Sequence, residues 1–241
     1  MSRSLPALPV VLAVVLSIFM ASCASTNLAQ IRLINAMPDS QSVDIYFDGF
    51  KVASSLPFGG VYPKPATPVA YESVSSGFVA VEGFAAGTST NPISPVGTVH
   101  LNGSTNYTVV AVGLELSEAP PITIVDNDTA PTAGALEYRI INASLNSPPT
   151  GLDVYVVPPG TNLTKFTPQI NALDYGQSNT AQVSAVSGGY SVLVTINGSK
   201  TPIITHISTA PAGSITTVVI LDNTGGTSGI SAIPLVLNDL N

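Results

Sequence analysis

Hydrophobic and polar residues alternate in short runs along most of the chain, which is the period-two pattern of β-strands with one buried face. In the run from Val43 to Asp48, Val, Ile and Phe alternate with Asp, Tyr and Asp. The dipeptide Asp48-Gly49 then leads into a second apolar-rich run, which indicates a two-residue hairpin, since glycine accepts the positive φ of a type I′ turn. No segment of the chain's body shows a helical period. We therefore predict an all-β fold.

Further strands are predicted wherever a short β-branched run is bounded by Gly, Pro, Asn or Ser, at the spacing of an antiparallel sandwich. Residues 57–68 contain four prolines and are predicted to form a surface loop or an edge, because proline cannot donate a ladder hydrogen bond. The other predicted strands are 69–74, 78–83, 97–101, 107–113 and 122–125 in the first half, and 181–186, 190–196, 203–207, 216–222 and 230–237 in the second.

One unit of sequence occurs twice. The run from Arg32 to Ala36 (Arg-Leu-Ile-Asn-Ala) returns as Arg-Ile-Ile-Asn-Ala from Arg139, and in each case an Asp-apolar-Tyr strand follows. Such a repeat predicts two tandem immunoglobulin-like antiparallel β-sandwiches, each of a usual domain size. The predicted boundaries are 31–127 for the first sandwich, 128–136 for a linker and 137–241 for the second sandwich. Val-Pro-Pro-Gly replaces the Asp-Gly turn in the second copy.

The repeated charges are informative because only 9% of the residues are charged. Arg32 and Asp44 of the first copy recur as Arg139 and Asp153 of the second. We predict that each arginine lies on the outward face of its sandwich, beside the aspartate of the same copy across neighbouring strands, as a structural pair. A pair that faces a ligand is the functional alternative.

The N-terminus has the features of a secretory signal peptide over residues 1–22, with Arg3 followed by an apolar run. Cys23 comes directly after Ala21-Ser22 and resembles the acylated cysteine of a bacterial lipoprotein, although Met20 stands where such motifs usually carry Leu. An inert cysteine is the alternative. Residues 23–30 would form a lipid-anchored tether, and Ala24 favours an outer membrane by resemblance to the lipoproteins of two-membraned bacteria.

The formal charge of −7 argues against nucleic acid as a partner, because phosphate binding requires basic patches and the chain has no Lys/Arg cluster. No Gly-x-Ser-x-Gly motif occurs, and His100 and His206 occupy comparable places in the two copies, which favours a structural role. We predict no catalytic residue, no metal and no cofactor. Asp126-Asn127-Asp128 and Asn238-Asp239 leave two interpretations open, a calcium site at the joint between the copies or polar strand exits.

Several motifs together resemble the bacterial cell-surface family catalogued as domain of unknown function 4397. They are the Arg-apolar-apolar-Asn-Ala opening, a Met-Pro-Asp loop, the Val43 to Gly49 strand and turn, the Val74 to Val79 segment, and Tyr-Thr-Val-Val from Tyr107. The second copy departs at the turn and has Thr216 in place of the last tyrosine. The resemblance implies tandem immunoglobulin-like sandwiches and implies no activity.

These observations predict a non-enzymatic lipoprotein of the cell envelope, secreted and anchored to a membrane, with the outer membrane or cell surface as its site. Its sandwiches would serve as a binding or spacer module, with an extracellular protein or a glycan as a partner. The alternative is a carbohydrate- or peptide-binding accessory of an extracellular enzyme or adhesion system. Because the chain has no Trp, exposed tyrosines would have to form the sugar platform; the candidates are Tyr46, Tyr62, Tyr71, Tyr155, Tyr175 and Tyr190.

Overall fold

The computed structural model describes residues 27–66, 68–114, 120–126, 128–226 and 228–240. The predicted signal peptide, Cys23 and Asn127 lie outside these residues. The strands of the first half are β1 (Ala29–Asn35), β2 (Ser42–Phe47), β3 (Phe50–Pro57), β4 (Val61–Tyr62), β5 (Glu72–Val74), β6 (Gly77–Ala85), β7 (Ser94–Leu101), β8 (Asn106–Ala111) and β9 (Ile122–Val125).

The second half repeats this order. Its strands are β10 (Ala135–Asn142), β11 (Leu152–Val157), β12 (Ile170–Leu173), β13 (Ser178–Ser184), β14 (Tyr190–Ile196), β15 (Pro202–Ser208), β16 (Ile215–Ile220) and β17 (Leu235–Leu240). Short 3₁₀ turns occur at Leu163–Lys165 and Thr224–Gly226. In the part of the chain that the structure describes, no helix is long and apolar enough to cross a membrane.

Each half is a sandwich of two sheets. The first half has one sheet in the order β4-β1-β8-β9, with β5 also paired to β1, and one in the order β3-β2-β6-β7. The second half has the corresponding sheets β13-β10-β16-β17 and β12-β11-β14-β15. The prediction of an all-β chain of β-sandwiches is confirmed. Its antiparallel character has one exception in each half, because β1 runs parallel to β8 and β10 runs parallel to β16.

The two halves pack against each other through the sheets that contain β1 and β10. Along β1, Ile31 and Leu33 point into the core of the first sandwich, so the alternate residues Arg32 and Ile34 point the other way. The cluster formed there includes residues of both halves. Its buried members are Ile34, Ala36, Val110, Val112, Ile122, Ile141, Ala143, Val219, Leu221 and Leu237. We call this contact the inter-sandwich interface.

The Asp48-Gly49 hairpin is present as predicted. Phe47 pairs with Phe50 across it, and Asp48 and Gly49 have φ values of 48° and 77°, the left-handed pair that a type I′ turn requires. In the second half, residues 158–169 replace this turn and lie against the sheet β12-β11-β14-β15. There Leu163 packs with Tyr155, Val157 and Leu193 in a buried cluster.

Several strand boundaries differ from those predicted. β12 was not predicted, and β4 is a two-residue edge strand within the proline-rich stretch, paired with β1. β17 begins at Leu235, whereas the apolar pattern predicted 230–237. The reason is local: Ser231 donates to the carbonyl of Ile233 and accepts from its amide, which closes a turn where the strand was expected to start.

Candidate functional site

The repeated arginines lie in the inter-sandwich interface. Arg32 and Arg139 are 3% and 2% exposed. Each faces away from its own core because it alternates with core residues, and the other sandwich covers it. Within its sheet, Arg32 is in register with Thr108 of the parallel strand β8, and its Nε and Nη2 donate to Thr108 Oγ1 at 3.1 and 2.7 Å.

Each arginine contacts an aspartate of the opposite sandwich. Arg32 Nη1 donates to Asp239 Oδ1, and Nη2 lies 3.3 Å from Asp239 Oδ2. Arg139 Nη1 donates to Asp126 Oδ1 and to Asp239 Oδ2, both at 3.1 Å. Arg32 Nη2 also lies 3.5 Å from Asp126 Oδ2. These four side chains, which we call the Arg/Asp network, are buried and have equal positive and negative charge.

The two aspartates occupy equivalent places. Thr108 pairs with Ile124 in β9 and Thr217 pairs with Leu237 in β17, and an aspartate follows each of these partners by two residues. The hydroxyls of the two threonines repeat the equivalence. Thr108 donates to Asp126, whose oxygens lie 2.9 and 2.7 Å away, and Thr217 donates to Asp239. Each half therefore supplies one arginine, one threonine and one aspartate in the same arrangement, and each arginine binds the aspartate of the other half.

Tyr71 closes the network on the side of the first sandwich. Its hydroxyl lies 3.0 Å from Asp126 Oδ2 and 2.9 Å from Asp128 Oδ2 and donates there. Asn106 donates to Asp128 at 3.3 Å, and Arg139 Nη2 lies 3.8 Å from Asp128 Oδ1. Asp128 thus forms a more exposed extension of the network.

Burial controls the proton equilibria of these groups. Burial alone would lower the pKa of Arg32, but its hydrogen bond to Asp239 and the charges of Asp239 and Asp126 raise it overall. Burial raises the pKa of Asp126, and the two arginines with Thr108 offset only part of that effect. Burial and the neighbouring carboxylates raise the pKa of Tyr71. The side chains of the network are paired and buried.

The predicted pairing of each arginine with its own copy's aspartate is wrong. Asp44 and Asp153 are 0% and 2% exposed and bind backbone amides within the sheets β3-β2-β6-β7 and β12-β11-β14-β15. Asp44 accepts from the Ser55 amide at 2.7 Å, and Asp153 accepts from the Ala172 amide at 3.0 Å. The pairing failed because β1 and β2 belong to different sheets of one sandwich.

The bound amides belong to residues in unusual backbone conformations. Ser55 in β3 and Ala172 in β12 both have φ of 51°, next to register shifts in the β2/β3 and β11/β12 ladders. Each carboxylate accepts further hydrogen bonds. Lys51 Nζ and the Gly87 amide donate to Asp44 at 2.6 and 3.1 Å, while the Gly198 amide and Asn197 Nδ2 both donate to Asp153 at 2.9 Å. The repeated aspartate therefore fixes a β-bulge in the neighbouring strand.

Among the residues considered for a calcium site at the joint, Asp126 and Asp239 accept from the arginines and threonines, and Asp128 accepts from Tyr71 and Asn106. Across the described ranges, no group of three His, Cys, Asp or Glu side chains is arranged to hold a metal ion. The two histidines lie in different sheets. His100 in β7 packs against Phe78 with 4.7 Å between ring centroids and the rings tilted by 58°, and His206 in β15 is half-buried, which lowers its pKa.

The six candidate tyrosines do not form an exposed platform. Tyr155 and Tyr190 are buried, and the remaining four are half-buried. Tyr46 packs edge-on against Phe84 at 5.0 Å, and Tyr62 donates to Glu72 at 3.2 Å. Exposed aromatic surface comes instead from Phe50 and Phe78 of the first sandwich and, to a smaller extent, from Phe166 of the second.

A cleft of about 370 Å³ opens in the first sandwich between the edges of its two sheets. Phe47, Phe50 and Val52 form one wall, and Tyr62 and Val74 contribute to the other. Charged side chains stand at its rim, including Asp48, Lys51 and Glu72. Apolar, aromatic and charged groups therefore meet in this cleft at an accessible concave surface.

Fold and network together define a double β-sandwich protein whose halves are joined by buried ion pairs. The chain belongs to the family DUF4397, a domain of unknown function, whose profile matches residues 29–155. The matched region contains the whole first sandwich and continues through β10 to Tyr155 of the second.

Comparison with solved structures gives distant similarities. The Bacillus anthracis TIE protein is 10% identical, with 81% of this chain and 34% of that chain covered and a TM-score of 0.23. This chain thus spans about a third of that protein. A suspected cell adhesion protein of Bacteroides fragilis is 11% identical, with 88% and 97% covered and a TM-score of 0.22. Such scores carry no functional argument. A search of curated proteins finds no match.

Proposed function

We propose that this protein is a non-enzymatic lipoprotein of the cell envelope, in which two β-sandwiches act as one stiff binding or spacer module. The observation that carries the proposal is the Arg/Asp network. Rotating one sandwich against the other would part Arg32 from Asp239 and leave buried charges without partners, which is costly. The apolar residues of the inter-sandwich interface would be exposed by the same movement.

A double sandwich whose halves keep a fixed orientation can hold a binding surface at a fixed distance from the point where the protein is attached to the membrane. The attachment in this proposal is the acylated Cys23, which stands five residues before Leu28. Each buried acyl CH₂ contributes about 0.8 kcal/mol, so several acyl chains on one cysteine hold a protein firmly on a membrane. The outer membrane or cell surface is the proposed location, and the second sandwich is proposed to be a degenerate copy of the family domain.

The anchor is tested by palmitate labelling of the protein in its host, comparing wild type with Cys23→Ala. The labelled, membrane-bound form is expected for wild type only. Cys23→Ser offers a second variant of similar size, with the same expected loss. Equal labelling of wild type and both variants would remove the anchor from the proposal.

The stiffness is tested by spin labels on two exposed positions, Lys64→Cys in the first half and Thr201→Cys in the second. In Cys23→Ala protein these are the two cysteines of the chain. A single narrow distribution of distances by pulsed electron resonance is expected. A broad distribution would show that the sandwiches reorient, and a flexible spacer would replace the stiff one.

The cleft of the first sandwich supports the second candidate, a peptide- or carbohydrate-binding accessory. Its aromatic and charged lining is typical of sites that hold small ligands, which usually have volumes of about 300–1,000 Å³. A glycan, peptidoglycan and peptide screen on residues 27–241 tests it, with Val52→Lys as the matched variant. A ligand that binds the wild type and fails to bind the variant places recognition in the cleft. Equal binding to both proteins excludes the cleft.

A further inference from the structure

Large apolar side chains are exposed at one end of the molecule. Phe50 and Phe78 are 78% and 79% exposed, and Leu28 is 43% exposed. Leu28 comes directly before β1 and lines the same cleft as Phe50. The amide of Asp48 donates to the Ala80 carbonyl at 2.9 Å, which sets the hairpin that carries Phe50 beside the start of β6, where Phe78 lies. All three therefore surround the beginning of β1.

The second sandwich presents its corresponding end on the same side. The Gly225 amide, beyond the end of β16, donates to the Pro38 carbonyl, beyond the end of β1, at 2.7 Å. The ends of β16 and β1 therefore lie close together. Since β10 is parallel to β16, the strands β1 and β10 point the same way and begin at a common end of the molecule. Val186, 46% exposed, follows β13 at that end, since Ser184 pairs with the first residue of β10.

We infer that this end of the double sandwich docks on the surface of a phospholipid bilayer, with Phe50 and Phe78 inserted at the level of the headgroups. The inference rests on the proposed acylation of Cys23. Leu28 is the fifth residue after Cys23, and an extended chain spans at most about 3.6 Å per residue, so the anchor holds this end within about 18 Å of the membrane. Two exposed phenylalanines held that close to lipid bury apolar surface by tilting onto it.

The charge of the protein indicates what kind of bilayer this end contacts. A chain of formal charge −7 is repelled by an anionic surface, and Lys51 at this end is already paired with Asp44 at 2.6 Å. The attraction is therefore apolar, and zwitterionic phospholipid is the bilayer it fits. Docking of this kind is insensitive to salt, unlike binding through a polybasic patch.

Tryptophan reporters test the inference, because the chain contains no Trp. Phe50→Trp and Phe78→Trp are each prepared in the full acylated protein and reconstituted into phosphatidylcholine vesicles with or without brominated acyl chains. The control is Ile233→Trp, since Ile233 is 80% exposed and lies at the opposite end, two residues before the Leu235 that pairs with Val219 near the end of β16. We expect a blue shift and at least ~2-fold quenching at positions 50 and 78, and neither at position 233.

Mass spectrometry of the same samples separates the possible failures. Acylated Phe50→Trp and Phe78→Trp proteins that show no quenching would overturn the docking and leave the anchor intact. Protein without acyl chains would overturn the anchor and the docking with it. A blue shift that grows with protein concentration in the absence of vesicles would assign the apolar end to contact between copies of the chain, and would also overturn the inference.

Discussion

At the scale of single residues, the Arg/Asp network predicts a large loss of stability when Arg32 is removed. Arg32→Ala leaves Asp239 in a buried site with one cation fewer, and loss of one partner of a buried pair costs about 3–5 kcal/mol. We therefore expect the free energy of unfolding, measured by urea titration, to fall by this amount. Lys64→Ala, at an exposed lysine, is the control and should change it by less than about 0.5 kcal/mol.

The double variant Arg32→Ala/Asp239→Ala distinguishes a network from two independent contributions. Removing both partners leaves no isolated charge from this pair, so the double variant should lose less stability than the sum of the two single variants. Additive losses would show that the pairing contributes little. If Arg32→Ala protein stays fully folded but loses a specific partner, the arginine has a ligand-binding role and the structural assignment fails.

Asp44 is expected to make stability depend on pH in the acid range. Burial alone would raise the pKa of this carboxyl, but hydrogen bonds from Lys51, Ser55 and Gly87 lower it below the usual 3.8. The folded protein thus binds this proton less tightly than the unfolded chain. The stabilisation is complete above pH 3.8 and disappears as pH falls through the lowered pKa.

The comparison of wild type with Asp44→Asn isolates this contribution. Thermal unfolding midpoints measured from pH 6 to pH 2 should fall less steeply below about pH 4 in the variant, because the amide has no proton to take up. Parallel curves for the two proteins would contradict the assignment. The variant should also be less stable than wild type at pH 6, since it loses the charged acceptor.

At the scale of the elements, the bulges of β3 and β12 explain why an aspartate is repeated, because each bulge needs an acceptor for an amide in the left-handed region. Ala172 has φ of 51°, a conformation that costs a non-glycine residue about 1–2 kcal/mol. Ala172→Gly should therefore raise the free energy of unfolding by up to about 1 kcal/mol, since the relief exceeds the added entropy of the unfolded chain.

Ala80→Gly is the matched control for the bulge. Ala80 is half-buried in the regular ladder of β6, opposite Thr98, so glycine there should lower stability by about 0.5–1 kcal/mol. The opposite signs of the two substitutions, both measured by urea unfolding, are the expected result. If Ala172→Gly destabilises the protein as Ala80→Gly does, the bulge is not strained in solution.

The elements also show which features could be predicted from the sequence. Period-two alternation predicted β2, and the chemistry of Asp48-Gly49 predicted its hairpin, because both depend only on neighbouring residues. β12 has too few residues between its bulge and the preceding loop to show a period. The partners of Arg32 could not be predicted, since Asp126 and Asp239 reach it only through the packing of two sheets distant in sequence. The signal available was that Asp126 and Asp239 follow strands that match in the two copies.

At the scale of the whole molecule, the repeat is more than two similar units in a row. The face of β1 that carries Arg32 and Ile34 would be exposed in an isolated sandwich, and the same is true of Arg139 and Ile141 on β10. Each sandwich supplies the surface that covers the other. The faces of β1 and β10 that meet in the inter-sandwich interface are thus buried by the contact between the two sandwiches.

This arrangement predicts that both sandwiches unfold in one transition. Separating them would expose the apolar inter-sandwich interface and break the ion pairs of the Arg/Asp network, so a state with one sandwich unfolded is unfavourable. Scanning calorimetry of Cys23→Ala protein should give one peak whose calorimetric and van't Hoff enthalpies agree. Ile141→Asp, which places an unpaired charge in the apolar inter-sandwich interface, should split the peak into two. Two peaks in the Cys23→Ala protein itself would mean that the sandwiches are independently stable, and the interface would then be a contact rather than a shared core.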